Sequence, residues 1–216
     1  MLTRRTLLYT SGLALCAAPA FAGLQVPAAR TLSFRIMRNG SNIGTHALDF
    51  AAKDAALTVT VDVQMSIGFG PIRFFHYNHH TVEVWNDGTF TSLDSKTDYD
   101  GIPAFCTVRR VGDGLTVEGS KTQRYTAPGN TLAATHWNEA ELKGAMINPE
   151  NGEILRPRVS DLGIGQTALA SGAEILARHY SWRGNDTLDL WYDTQNNWAG
   201  LTALAKDGSE LIYERM

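Results

Sequence analysis

The residues of this chain most able to do chemistry are its six histidines, three of which fall in one run, His76-Tyr77-Asn78-His79-His80. A metal site needs ring nitrogens about 2 Å from a single ion, so its side chains must converge. On an extended strand, His76 and His80 share a face but lie roughly 13 Å apart, while His79 points to the opposite face. Three ligands from this run would require a sharp bend, and a site would have to recruit His46, His136 or His179 from elsewhere. The run therefore reads as hydrogen-bonded or surface imidazoles, and no metal is assigned. Gly163-Ile164-Gly165-Gln166-Thr167-Ala168 fits a lax dinucleotide fingerprint. That fingerprint works only inside a β-α-β unit. Its surroundings here are hairpin-like, so it reads as a flexible loop and no cofactor is assigned. Cys106 lies in Phe105-Cys106-Thr107-Val108, which looks like strand interior and makes it a packed thiol. Asp94, Asp98 and Asp100 flank Tyr99 and Gly101 without the spacing of a calcium loop, so they read as an acidic turn. Neither G-x-S-x-G, H-E-x-x-H nor C-x-x-C occurs. No catalytic residue is assigned. An enzymatic alternative would combine His136 and Asn138 with a carboxylate such as Asp193, converging with His76 or His80 in one cleft.

The elements that must position these residues read almost entirely as strands. Leu57 to Ile67 has apolar residues at every odd position and polar ones at every even position, the alternation of a half-buried strand. Leu32, Phe34 and Ile36 alternate with Ser33 and Arg35 before Asn39-Gly40, a strong hairpin signal, and Ile43 to Ala51 is the expected partner. Ile72 to Trp85 carries bulky groups on both faces, with Phe74 and Val82 on one and Phe75, Tyr77 and Trp85 on the other. Strands follow over Thr89 to Thr97, Ala104 to Val111 and Leu115 to Glu118. Four more cover Glu174 to Trp182, Thr187 to Asp193, Gly200 to Lys206 and Glu210 to Arg215. Short connections favour antiparallel neighbours, since a parallel crossover needs a dozen or more residues. Helical periodicity is confined to Asn138 to Lys143, with Asn138 as N-cap, and to Gln166 to Ser171. Residues 127–130 and 148–165 read as long loops. The expected fold is all-β: a single antiparallel meander of about ten strands with one or two short helices, curled into a barrel, a half-barrel or a sandwich.

The amino terminus carries an address. Arg4-Arg5 precedes an apolar stretch from Leu7 to Ala18 and then Ala20-Phe21-Ala22, the order of a cleavable export signal. The stretch is shorter than the roughly 20 residues of a membrane-spanning helix. Thr3-Arg4-Arg5-Thr6-Leu7-Leu8 resembles a twin-arginine leader. The expected organisation is a signal peptide over residues 1–22 and a single β domain over 23–216, located in the periplasm or secreted. Loss of Arg4 and Arg5 takes the formal charge from −3 to −5. Mild acidity without a basic cluster argues against nucleic-acid partners. Cleavage also removes Cys16, leaving Cys106 with no internal disulfide to form. No later apolar run approaches transmembrane length.

Two stretches exceed generic β pattern: Thr135-His136-Trp137-Asn138, and Leu190-Trp191-Tyr192-Asp193 with Lys206-Asp207-Gly208-Ser209, Leu211 and Tyr213 beyond it. With the leader and the Asn39-Gly40 to Ile43-Gly44 hairpin, the chain resembles a family of uncharacterised exported proteobacterial proteins defined as a domain of unknown function. In architecture it is similar to the periplasmic lipoprotein carriers of the Lol type, a likeness that implies a half-barrel holding acyl chains. Fold alone carries no function. The leading expectation is a non-enzymatic protein binding a lipid, another apolar small molecule or an envelope protein. Its candidate ligand-binding residues are Phe74, Phe75, Tyr77, Trp85, His136, Trp137 and Trp191. A structural subunit of an envelope complex is the remaining class.

Overall fold

The computed structural model describes residues 24–69, 72–184, 186–205 and 207–216. The expected signal peptide lies outside the described residues. Among the described residues, sixteen strands follow one another. The first eight are Thr31–Arg38 (β1), Ser41–Lys53 (β2), Ala56–Phe69 (β3), Ile72–Asn86 (β4), Thr89–Tyr99 (β5), Ile102–Val111 (β6), Gly114–Gly119 (β7) and Thr122–Pro128 (β8). Three two-residue strands, Leu132–Ala133 (β9), Met146–Ile147 (β10) and Ile154–Leu155 (β11), surround a short 3₁₀ helix at Glu139–Lys143. The last five are Arg158–Ala168 (β12), Glu174–Arg183 (β13), Thr187–Asp193 (β14), Trp198–Leu204 (β15) and Glu210–Arg215 (β16). No helix among the described residues is long and apolar enough to cross a membrane.

Thirteen strands form one antiparallel sheet in the order β12-β13-β14-β15-β16-β1-β2-β3-β4-β5-β6-β7-β8. The first and last described strands pair near the middle of the sheet, with Ile36 opposite Tyr213, so two hairpin arms run outward from that pair. The sheet is not closed: β8 and β12 are its edges. It must nevertheless curl. Laid flat, thirteen strands at ~4.8 Å would span roughly 58 Å. The segment 129–157, which holds β9 to β11, touches both arms. Tyr125 of β8 donates to the Gly152 carbonyl (2.8 Å) and Tyr77 of β4 to Glu150 (2.5 Å). From the other arm, Tyr192 of β14 donates to the His136 carbonyl (2.9 Å) and Tyr180 of β13 to Glu139. Wall and segment share one core, in which Phe34, Leu48, Leu93 and Trp198 join Trp137, Met146 and Ile147, all almost fully buried. The segment is the filling of the curl.

The alternation read from sequence holds in β3, where Leu57, Val59, Val61 and Val63 are buried. Three readings need correction. The described residues form sixteen strands rather than about ten: eleven match segments read from the sequence, and β8, β12 and the three short strands went unseen. The stretch 148–165 is not one loop, since it contains β11 and the first eight residues of β12. Gln166 to Ser171 is not helical, because β12 runs to Ala168. The Gly163 to Ala168 motif thus sits in a strand, not a loop. The physical cause is the edge: β12 leaves Leu162 and Ile164 exposed, and a register shift between Asp161 and Gly163 interrupts its period. Gly163 supplies the bulge with φ +85, a conformation glycine adopts without strain. Asn138 does cap a helix, accepting from the Ala140 N–H (3.1 Å), although the helix is 3₁₀.

Candidate functional site

The chemically dense part of the molecule is where the 129–157 segment meets the inner face of β4. Tyr77, His79, Glu83 and Trp85 share that face two residues apart and are all buried, along with Thr81. Glu83 lies between Val59 and Leu93 in the ladder and is 1% exposed. Its Oε2 accepts from the indoles of Trp85 (3.0 Å) and Trp137 (3.1 Å), and its Oε1 from the Thr135 hydroxyl (2.5 Å). These donors favour the carboxylate, but burial outweighs them and pushes the Glu83 pKa up to about 7.

One residue along, Glu141 of the 3₁₀ helix holds His136 twice. Its Oε2 accepts from the His136 backbone N–H (2.9 Å) and its Oε1 lies 2.8 Å from Nδ1. Tyr192 fixes the His136 carbonyl, and the backbone at His136 is left-handed, φ +67. A non-glycine residue there must be held by its surroundings, and three contacts hold it. Thr135-His136-Trp137-Asn138 is therefore a docking motif: Thr135 and Trp137 tie the segment to Glu83 of the wall, the His136 carbonyl ties it to Tyr192, and Asn138 starts the helix.

The other imidazoles are dispersed. His79 lies between the hydroxyls of Thr97 (2.8 Å) and Thr81 (2.7 Å), and burial lowers its pKa to about 4. His46 is sealed among Phe34, Trp198 and Tyr213, with its Nε2 unpartnered; burial, with His136 and His79 nearby, holds it neutral. His76 and His80 face outward to Asp98 (3.1 Å) and Asp62 (2.7 Å). His179 stacks on Trp191 with ring centroids 4.5 Å apart. The enzymatic constellation is only partly assembled: His136 meets an acid, but that acid is Glu141. Asp193 instead pairs with Arg215 (2.8 Å). Cys106 is buried in β6, where burial raises its thiol to about 12.

The seven candidate binding residues do not form one lining. Trp85 and Trp137 pack edge-to-face inside the filled hollow, at 5.4 Å. Tyr77 is buried on Glu150, and His136 lies beside Trp198 and Trp182. Phe75 contacts Tyr99 at one end of the strands, Phe74 is 65% exposed, and Trp191 sits on the far arm. Sequence reading missed Glu83 and Glu141. Glu83 could have been found, because it lies two residues before Trp85 on one strand and so shares its face.

Concave surface exists where the segment leaves the wall. A cleft of about 200 Å³ is lined by Ile154, Leu155, Arg156, Pro157, Trp182, Gly184 and Asp186. The wall approaches the segment just as closely at Gly119. A Cβ built there would stand 2.1 Å from the Asn151 carbonyl oxygen.

Residues 34–216 match the family model described as Domain of unknown function (DUF6134). No curated protein matches the chain. Among solved structures, the crystal structure of a beta-barrel-like protein of domain of unknown function DUF1849 from Brucella abortus is similar in fold. The TM-score is 0.60 at 9% identity, over 86% of this chain and 94% of that one.

Proposed function

The chain belongs to the DUF6134 family, and because membership brings no activity with it, we propose from the geometry that it is an exported, non-enzymatic protein that binds an apolar or amphipathic ligand. The ligand meets the surface of the filled curl and does not enter its hollow. One observation carries this reading: Trp137, Met146 and Ile147 of the protein's own segment occupy the interior, while the seam at Ile154, Leu155 and Trp182 stays open. The buried polar groups support a non-catalytic role, since Glu83 and Glu141 are committed to hydrogen bonds that position the segment and His79 to the wall hydroxyls of Thr97 and Thr81. The Arg4-Arg5 leader supports a periplasmic location. Native mass spectrometry of protein isolated gently from the periplasm tests the proposal. A bound amphiphile is the expected result. Protein without any ligand, and without uptake of added fluorescent fatty acid, overturns it.

The His136 and Glu141 pair favours a second reading, a hydrolase using the imidazole as base. His136→Gln would then abolish turnover of an ester panel, whereas the binding reading predicts no turnover in either protein.

A further inference from the structure

The cleft at the seam has features that its apolar floor alone does not require. Trp182 is 4% exposed, yet its indole N–H donates to no group among the described residues. Its Nε1 lies beside Gly184, which lines the same cleft. Gly184 keeps that side open: a Cβ there would lie 3.4 Å from Pro157 Cα and 3.8 Å from Trp182 Nε1. Cationic charge gathers around it. Arg156 lines the cleft, and Arg158 follows Pro157 at the start of β12, where its ladder partner is Arg183. Like charges directly opposite in a ladder are unfavourable unless something neutralises them. Arg183 is met by Asp189 (3.1 Å), but among the described residues neither Arg156 nor Arg158 has an ion pair. Within the lining itself, Arg156 is the guanidinium and Asp186 the carboxylate.

An indole donor, an uncommitted guanidinium and an apolar floor of Ile154, Leu155 and Pro157 form a complementary set for one kind of molecule. Resting on the binding function above, we infer that this cleft takes the head of an anionic amphiphile, a carboxylate or phosphate on an alkyl stem. Arg156 and the Trp182 N–H receive the anion, and the stem lies on the floor. Ligand pockets for whole small molecules run from roughly 300 to 1,000 Å³. At about 200 Å³ the cleft holds one end of the ligand and leaves the rest of the chain outside.

The test uses the mature protein and four ten-carbon probes, decanoate, decyl phosphate, decanol and decyltrimethylammonium, followed by calorimetry and tryptophan fluorescence. Decanoate or decyl phosphate should bind at least tenfold more tightly than decanol and the cation. Arg156→Ala should remove that preference, and Trp182→Phe should remove the fluorescence change and weaken the preference for the anions. Equal affinity for all four probes, a preference for the cation, or an unchanged preference in Arg156→Ala overturns the anion site while leaving amphiphile binding in place. Failure of every probe to bind overturns both. Far-ultraviolet circular dichroism of the two variants separates loss of the site from loss of the fold.

Discussion

At the scale of single residues, Glu83 carries the sharpest consequence. A carboxyl whose pKa is about 7 in the folded protein and 4.5 in the unfolded chain binds its proton more tightly when folded. Its contribution to stability is fully present below pH 4.5 and is lost as pH rises to about 7. At about 1.4 kcal/mol per pH unit, the loss is of order 3 kcal/mol. His79 and His46 act in the opposite sense: their folded pKa values are depressed, so stability falls as pH drops below 6.5, for His79 down to about 4. Glu83→Gln should therefore gain stability relative to wild type as pH is raised from 4.5 to 7. Urea midpoints at several pH values check this, and a pH-independent difference would show that Glu83 is not the buried acid described. His79→Gln should flatten the acid limb of the same profile. The sequence made the shared face of Tyr77, His79 and Trp85 legible through simple alternation. It hid the direction of that face, because Thr81-Val82-Glu83-Val84 suggests that the valines turn inward. In the structure Glu83 is buried and Val82 and Val84 are only half-buried, since three donors on the segment and wall satisfy the carboxylate.

At the scale of elements, the 129–157 segment stabilises the fold by packing into the curl. Trp137→Ala removes an indole from contact with Phe50 and Trp85 and should cost about 3–5 kcal/mol. Gly119→Ala drives a methyl into the Asn151 carbonyl and should lower Tm markedly, whereas Gly144→Ala meets nothing within 4 Å and should be near neutral. Thermal scans of the three variants test whether the segment is integral to the wall. Equal Tm values for Gly119→Ala and Gly144→Ala would contradict the contact. Strands with clean period-2 patterns and Asn-Gly or Asp-Gly turns could be read directly, as for β1 to β6 and β13 to β16. The segment could not, because its strands are two residues long and its burial comes from the wall, not from its own periodicity. Edge strand β12 escaped for a related reason: a strand paired on one side and bulged at Gly163 keeps little alternation to read.

At the scale of the molecule, an open sheet of thirteen strands is kept curled by what fills it, and its two arms are joined in the ladder by the pairing of β1 with β16. Composition and alternation were enough for an antiparallel all-β domain, but not for the strand count or for the filled interior, which depend on contacts far apart in sequence. That filled interior moves any ligand from the hollow to the cleft at Ile154, Leu155 and Trp182. The direct measurement is an NMR titration of the isotope-labelled mature protein with decanoate, following the indole N–H and backbone amide signals. Shifts are expected at the Trp182 indole, Arg156 and Gly184, with the Trp85 and Trp137 indoles unmoved. Saturable shifts at Trp85 and Trp137, with Trp182 unchanged, would place the ligand in the hollow and contradict binding at the cleft.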